Sequence, residues 1–218
     1  MTSFIDGSSV PCSIFNELGI APMRIMYQPR AKLEFVRRYC SPQEGWLVFV
    51  DIDPSEEGRT GGIRKSKGAR EREMEMRRDA LRVREELGRL GITPGGDRKE
   101  WFQRHGVPLV DGDRDIVAFH KATHRCLIAE IEAESSGQPE QKVYKAVGQV
   151  LVAGGVALSA PWTVARIIVV SGERMRVVLK KCRELHRLGI SGLMLADDSA
   201  ADAWIFGKVL ETRLRTRS

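Results

Sequence analysis

The chain has 218 residues and a hydrophobic fraction of 42%, which suits one domain with a packed core and excludes a fully disordered protein. No apolar run reaches the roughly 18–20 residues that a membrane-spanning helix needs, so no membrane partner is expected. The net charge of +6 and the isoelectric point near 9.3 favour an anionic partner, with nucleic acid first among them.

The cysteines and the N-terminus bear on the compartment. No cysteine has a second cysteine or a histidine at the spacing of a zinc site, so the thiols are interpreted as reduced. The N-terminus lacks the basic and then apolar pattern of a secretory signal. An intracellular location is therefore expected, with nucleus, cytoplasm and organelle left open. The four cysteines are Cys12, Cys40, Cys126 and Cys182.

The first third of the chain is weakly patterned until a short apolar run. Residues 1–45 contain several prolines, which predicts an irregular N-terminal extension with short helices near 13–18 and 30–39. The apolar run 46–52 predicts the first strand. The segment 59–70 carries five basic residues and no acid, which fits a solvated loop, a contact with phosphates or a nuclear import signal.

Helices and strands alternate in the rest of the chain. The spacing of apolar residues predicts helices over 69–90, 98–105, 140–152, 173–188 and 200–214. Apolar and alternating runs predict strands over 107–110, 115–119, 126–133, 163–171 and 191–196. This order predicts an α/β domain over 46–218, with its core at about 70–196, in which helices flank a mixed central sheet.

Four carboxylates lie on two neighbouring predicted strands. Asp115 begins one strand, and Glu130, Glu132 and Glu134 share one face of the next, because side chains alternate along a strand. Like charges on one face cost free energy unless a cation or a basic group compensates them. Hard oxygen ligands suit Mg²⁺ or Mn²⁺, and such an ion activates water for attack on a phosphate. The opposite face of this strand carries Leu127, Ala129, Ile131 and Ala133.

These residues resemble the restriction-endonuclease-like superfamily, the PD-(D/E)xK phosphodiesterases, especially its RecB-like and resolvase-like branches. Residues 114–117 (RDIV) resemble its "PD" strand with Arg in place of Pro, and residues 130–132 (EIE) stand where (D/E)-x-K is found. Residues 163–196 resemble its closing strand, helix and strand. The resemblance covers about residues 70–196. The helix that follows the motif in this family is matched by Gln141, Tyr144 and Gln149.

The resemblance implies a metal-dependent nucleic-acid phosphodiesterase directed at DNA, or a degenerate relative, with a restriction-endonuclease-like core. It implies that Asp115 and Glu130 bind the metal, and that Glu132 binds the metal or orients the attacking water. It also implies that Lys145 stabilises transition-state charge and that Gln149 positions water or phosphate. A homodimer is left open.

The sequence departs from the family motif at its lysine, whose position holds Glu132. In some members the lysine has moved to the following helix, so Lys142 or Lys145 is a candidate. Lys145 is preferred because it lies on one helical face with Gln141 and Gln149. The register Glu132-Ala133-Glu134 is an alternative. The first helix of the family often adds a metal ligand, for which Glu75 and Glu85 are candidates.

Two further interpretations remain open. The D-x-D of Asp51 and Asp53 resembles the nucleophile strand of haloacid-dehalogenase-like phosphatases, which implies Asp51 as nucleophile, Asp53 as general acid and Asp197 as a Mg²⁺ ligand. Residues 169–171 (VVS) resemble the hydroxyl-bearing strand of the same family, with Ser171 as the hydroxyl group. The other interpretation is a non-catalytic nucleic-acid-binding module on a nuclease scaffold. Its backbone contacts would come from residues 59–70, the Arg-rich helix and the basic tail 213–217.

Overall fold

The computed structural model describes residues 26–52, 67–133, 138–152, 161–196 and 201–207. The helices are α1 (Gln28–Tyr39), α2 (Lys67–Arg89), α3 (Arg98–His105), α4 (Pro139–Val152) and α5 (Glu173–Lys181). The strands are β1 (Leu47–Val50), β2 (Ile116–His120), β3 (Arg125–Ala133), β4 (Thr163–Ser171), β5 (Ile190–Leu195) and β6 (Ala203–Phe206). Short 3₁₀ turns occupy Pro42–Glu44, Lys121–Thr123 and Arg183–Leu188.

The six strands form one mixed sheet in chain order. β1, β2 and β3 are antiparallel neighbours, β3, β4 and β5 are parallel, and β6 pairs antiparallel with β5. The parallel pairs are connected through α4 and α5. Because β2 alone among the first five runs in the opposite direction, it begins at the sheet edge where β1, β3, β4 and β5 end. The expected α/β fold with a mixed sheet flanked by helices is confirmed.

Helices cover both faces of the sheet. On one face, Leu127, Ala129 and Ile131 of β3 belong to a cluster of buried side chains that includes residues of α1 and α2. On the other face, Cys126 and Ile128 pack with Phe102 of α3. Further along that face, α4 and α5 pack on β4. The alternation of side chains along β3 therefore directs successive residues into different layers.

Most of the expected elements are confirmed to within two residues. These are the helices over 30–39, 69–90, 98–105 and 140–152, and the strands over 46–52, 115–119, 126–133, 163–171 and 191–196. Among the described residues, no helix combines the length and apolar character required to cross a membrane.

Four expectations need correction. Residues 107–110 form no strand, although Val107 and Val110 are buried against α3. The helix over 173–188 ends at Lys181 and continues as a 3₁₀ turn. The helix expected over 200–214 is wrong at Ala203–Phe206, where Trp, Ile and Phe favour a strand and pair with β5.

The fourth correction concerns the N-terminal extension. Its described part contains α1, whose Leu33, Phe35 and Val36 are fully buried in the cluster on the sheet. This stretch is therefore part of the packed core, because its apolar side chains cover strands that lie far away in sequence. The segments expected at 13–18, 59–66 and 208–218, together with Cys12 and Glu134, lie outside the described residues.

Candidate functional site

Glu130 and Glu132 lie on the same face of β3, as the alternation predicts. They are opposite Ile168 and Val170 of β4, which pack with α4 and α5. Both carboxylates are buried, with 1% and 7% of their surface exposed. Two buried acids on one strand face are costly without compensating charge. The residues that compensate them come from three other parts of the chain.

Asp115 directly precedes β2 and lies beside Glu130, because the next residue, Ile116, pairs with Ala129. Its Oδ2 accepts a hydrogen bond from the backbone N–H of Ile131 at 2.7 Å. This side chain thus takes the position of the next backbone hydrogen bond in the β2–β3 ladder. It joins the two halves of the motif, since Ile131 is the central residue of the Glu-Ile-Glu sequence.

Lys32 of α1 is the residue that sequence reasoning missed. Its side chain is 1% exposed, and its Nζ lies 2.8 Å from Asp115 Oδ1 and donates to the carbonyl of Asp51 at 2.7 Å. One helical turn earlier, Gln28 donates to the carbonyl of Ile131 at 2.7 Å. Residues four apart on a helix share a face, so α1 contacts the ends of β1, β2 and β3 together. The spacing of Gln28 and Lys32 was visible in the sequence, but nothing there indicates a buried partner.

Arg114 supplies the second positive charge. It is 4% exposed, and its NH1 lies 3.6 Å from Glu130 Oε1. Among the described residues, neither Glu130 Oε1 nor Arg114 Nε has a hydrogen-bond partner. Gly112 permits this arrangement: its φ is +78°, and a Cβ there would lie 2.5 Å from Arg114 NH2. The pair is therefore buried without full hydrogen bonding, which leaves Glu130 Oε1 open to a ligand.

The ionisation of both glutamates is perturbed. Burial, followed by the charge of Asp115, raises the pKa of Glu130 to about 8, while Arg114 and Lys32 oppose the rise. Burial also raises the pKa of Glu132, and the charge of Lys142 opposes it most strongly. Perturbed carboxylates that cluster in this way are typical of functional sites.

Lys142, rather than Lys145, contacts the motif. The Nζ of Lys142 lies 3.7 Å from Glu132 Oε2 and donates to the carbonyl of Ala133 at 3.2 Å. Lys145 is exposed, and its charge opposes the rise in the pKa of Glu132 less strongly than that of Lys142. Gln149 is half-buried on the same helix. The preferred and the alternative lysine therefore both lie near Glu132, and Lys142 is the one in contact.

The two acids considered on the Arg-rich helix lie elsewhere. Glu75 is exposed and accepts a hydrogen bond from the Tyr27 hydroxyl, and Glu85 is exposed as well. Neither Glu75 nor Glu85 is among the residues that account for most of the pKa shift of Glu130 or of Glu132. The helix that contacts Asp115 is α1, which contributes the base Lys32 instead of an acid.

A metal ion at this site would be held by few protein ligands. Among the described residues, no group of three or more Asp, Glu, His or Cys side chains is arranged to hold a metal ion. Mg²⁺, however, is bound through one or two carboxylates and keeps several waters. The unpartnered Oε1 of Glu130 and the adjacent carboxylate of Asp115 suit this kind of site.

The phosphatase interpretation does not match the sheet order. Asp51 follows β1, the end strand, whereas Ser171 ends β4, three strands away. Strands are spaced about 4.8 Å apart, which separates these positions by about 14 Å. Two groups at that distance do not act on one phosphate. Asp53 and Asp197 lie outside the described residues.

Comparisons of the chain with family models, with curated proteins and with solved structures found no match. The site is thus defined by its own residues: three acids beside three basic side chains at one edge of a mixed sheet. Such a set can bind a cation or a phosphate and can orient water.

Proposed function

We propose that this protein is a metal-dependent nucleic-acid phosphodiesterase with a restriction-endonuclease-like active site. One observation carries the proposal: Asp115 is hydrogen-bonded to Ile131, so the Asp strand and the Glu-x-Glu strand meet at one point. The order that follows, α4 and then β4, α5 and β5, agrees with the resemblance seen in the sequence.

The roles of the residues follow from their positions. Asp115 and Glu130 would hold one Mg²⁺ or Mn²⁺, and Glu132 would orient the attacking water or complete the metal site. The bound ion supplies a more acidic water and neutralises charge on the phosphate. Lys142, with Lys145 behind it, stabilises negative charge that develops on the phosphate. Gln149 is the candidate for positioning water or phosphate.

The decisive experiment is cleavage of single-stranded, duplex and branched DNA with Mg²⁺, Mn²⁺ or EDTA. Glu130→Gln preserves the size of the buried side chain and replaces a carboxyl group that can ionise to bind a metal by an amide that cannot, so we expect at least about a 100-fold loss of rate. Glu85→Gln on exposed α2 is the matched control and should cleave normally. Unchanged cleavage by Glu130→Gln would exclude the assignment.

A second candidate is a nucleic-acid-binding module without catalysis. It is favoured by the basic neighbours of the three acids, because Lys32, Arg114 and Lys142 already compensate their charge. Calorimetry with Mn²⁺ separates the two candidates. Ion binding that is lost in Glu130→Gln supports the nuclease. DNA binding with neither ion binding nor cleavage supports the binding module.

A further inference from the structure

A strongly basic surface lies outside the carboxylate site. Residues 173–188, which form α5 and the 3₁₀ turn after it, contain six Lys or Arg and two Glu, a net charge of +4. The whole chain has a net charge of +6, so these 16 residues account for most of its excess. The apolar side of α5 is fixed by the burial of Met175, Val178 and Leu179 against β4 and α4. The charged side therefore faces outward.

The charges on this surface remain available to a ligand. Lys180, Lys181, Arg183 and Arg187 are all exposed. Glu184 is shared by Arg183 at 3.8 Å and Arg187 at 3.1 Å. Exposed ion pairs of this kind contribute little free energy and exchange readily for other anions. We call the four basic residues the α5 basic surface.

The α5 basic surface borders the carboxylate site. Lys181 Nζ lies 4.0 Å from Glu140 Oε1 at the start of α4. Two residues further along α4, Lys142 contacts Glu132. The outward side of α4 also carries Lys145 and Tyr144, whose ring is half exposed. Positive charge thus runs from the glutamates across α4 to α5.

We propose that this surface binds the phosphate backbone of single-stranded nucleic acid and directs the strand to the carboxylate site. Successive phosphates match a row of exposed Lys and Arg side chains. An exposed tyrosine among lysines offers a ring on which an unpaired base stacks. That the strand is directed to the carboxylate site rests on the proposed function, whereas the binding of the strand by the α5 basic surface does not.

The test uses the full chain and fluorescence anisotropy with a labelled 30-nucleotide single strand, its duplex and anionic phospholipid vesicles. The surface variant is Lys180→Glu, Lys181→Glu and Arg183→Glu combined. The control carries the same charge change elsewhere on exposed residues, as Arg89→Glu, Lys99→Glu and Lys121→Glu. We expect the surface variant alone to lose at least about tenfold in affinity for the single strand. The slope of the logarithm of its binding constant against log salt should be smaller by about two to three, since each lost phosphate contact reduces it by about 0.7–0.9. Tyr144→Ala should weaken the single strand at least about fivefold more than the duplex.

The outcomes separate this inference from the proposed function. Equal losses in both triple variants, or binding of vesicles instead of nucleic acid, would overturn the inference. Selective loss in the surface variant would support it even if no DNA is cleaved. Cleavage that persists in the surface variant with unchanged KM would retain the nuclease and reject the surface.

Discussion

At the scale of single residues, each of the two positions that differ from the proposed motif has a neighbour of opposite charge. Arg114 stands where the motif has proline, and its guanidinium lies beside Glu130. Glu132 stands where the motif has lysine, and Lys142 from α4 lies beside it. Each change of charge on a strand has a partner of opposite sign, and Lys32 balances Asp115. Each acid of the proposed site is therefore matched by a basic side chain from another part of the chain.

Replacing Lys32 tests whether its ion pair with Asp115 stabilises the fold. Lys32→Met leaves the carboxylate of Asp115 without the ammonium at 2.8 Å. Breaking one side of a buried pair is strongly destabilising, so we expect a loss of about 3 kcal/mol in the free energy of unfolding, measured by urea denaturation. Lys99→Met on the exposed side of α3 should change it by less than about 0.5 kcal/mol. Equal effects of the two substitutions would contradict the ion pair.

The raised pKa of Glu130 predicts a dependence of stability on pH. Because its pKa rises from 4.5 to about 8, the folded state keeps a proton that the unfolded chain releases. The stabilisation that this proton contributes to the free energy of unfolding is fully present below pH 4.5. It is lost as the pH rises to about 8, at up to about 1.4 kcal/mol per pH unit. Denaturation across this range should show a flatter profile for Glu130→Gln than for the natural protein. Parallel profiles would show that Glu130 titrates normally.

At the scale of elements, the sequence predicted those with a clear period and missed those defined by distant partners. The strand Thr163–Ser171 and the helix Arg98–His105 were predicted at their exact bounds. The strand Ala203–Phe206 was predicted as a helix, because its four residues are too few to show a period. The contact of Lys32 with Asp115 spans 83 positions, and no local spacing encodes it.

The burial of α1 predicts that the N-terminal part of the chain is required for stability. Leu33 of α1 is fully buried against the sheet, so Leu33→Ala should cost about 3 kcal/mol of unfolding free energy. Leu81→Ala on α2 is the matched control, because 53% of that side chain is exposed. Thermal and urea denaturation of both variants measure the difference. A small effect at Leu33 would restore the description of residues 1–45 as an extension outside the core.

At the scale of the whole molecule, the three described cysteines each lie in or against a different hydrophobic cluster. Cys40 directly follows α1 and is buried, and Cys126 is buried with Phe102 of α3. Cys182 directly follows α5 and is half-buried. Burial raises the pKa of all three thiols. Cys40 and Cys126 therefore react only when the cluster that buries each of them opens, whereas Cys182 is partly accessible in the folded protein.

Thiol labelling should show whether these layers open together. We expect Cys40 and Cys126 to react with a maleimide only upon global unfolding and at matching rates, because the thiolate is the reactive form. Cys182 should react faster, since it is partly exposed. Peptide mapping by mass spectrometry separates the individual sites. Faster labelling of Cys40 than of Cys126 would show that α1 detaches from the sheet on its own.

The hydrogen bond between Asp115 and Ile131 has a consequence for how this lineage evolves. The acceptor at position 115 completes the strand ladder whether or not a metal is ever bound. Selection for folding alone would therefore favour a hydrogen-bond acceptor at position 115, independently of the proposed metal site. Among the described residues the side chain of Glu130 accepts no hydrogen bond of the strand ladder, so replacing it would leave those hydrogen bonds intact.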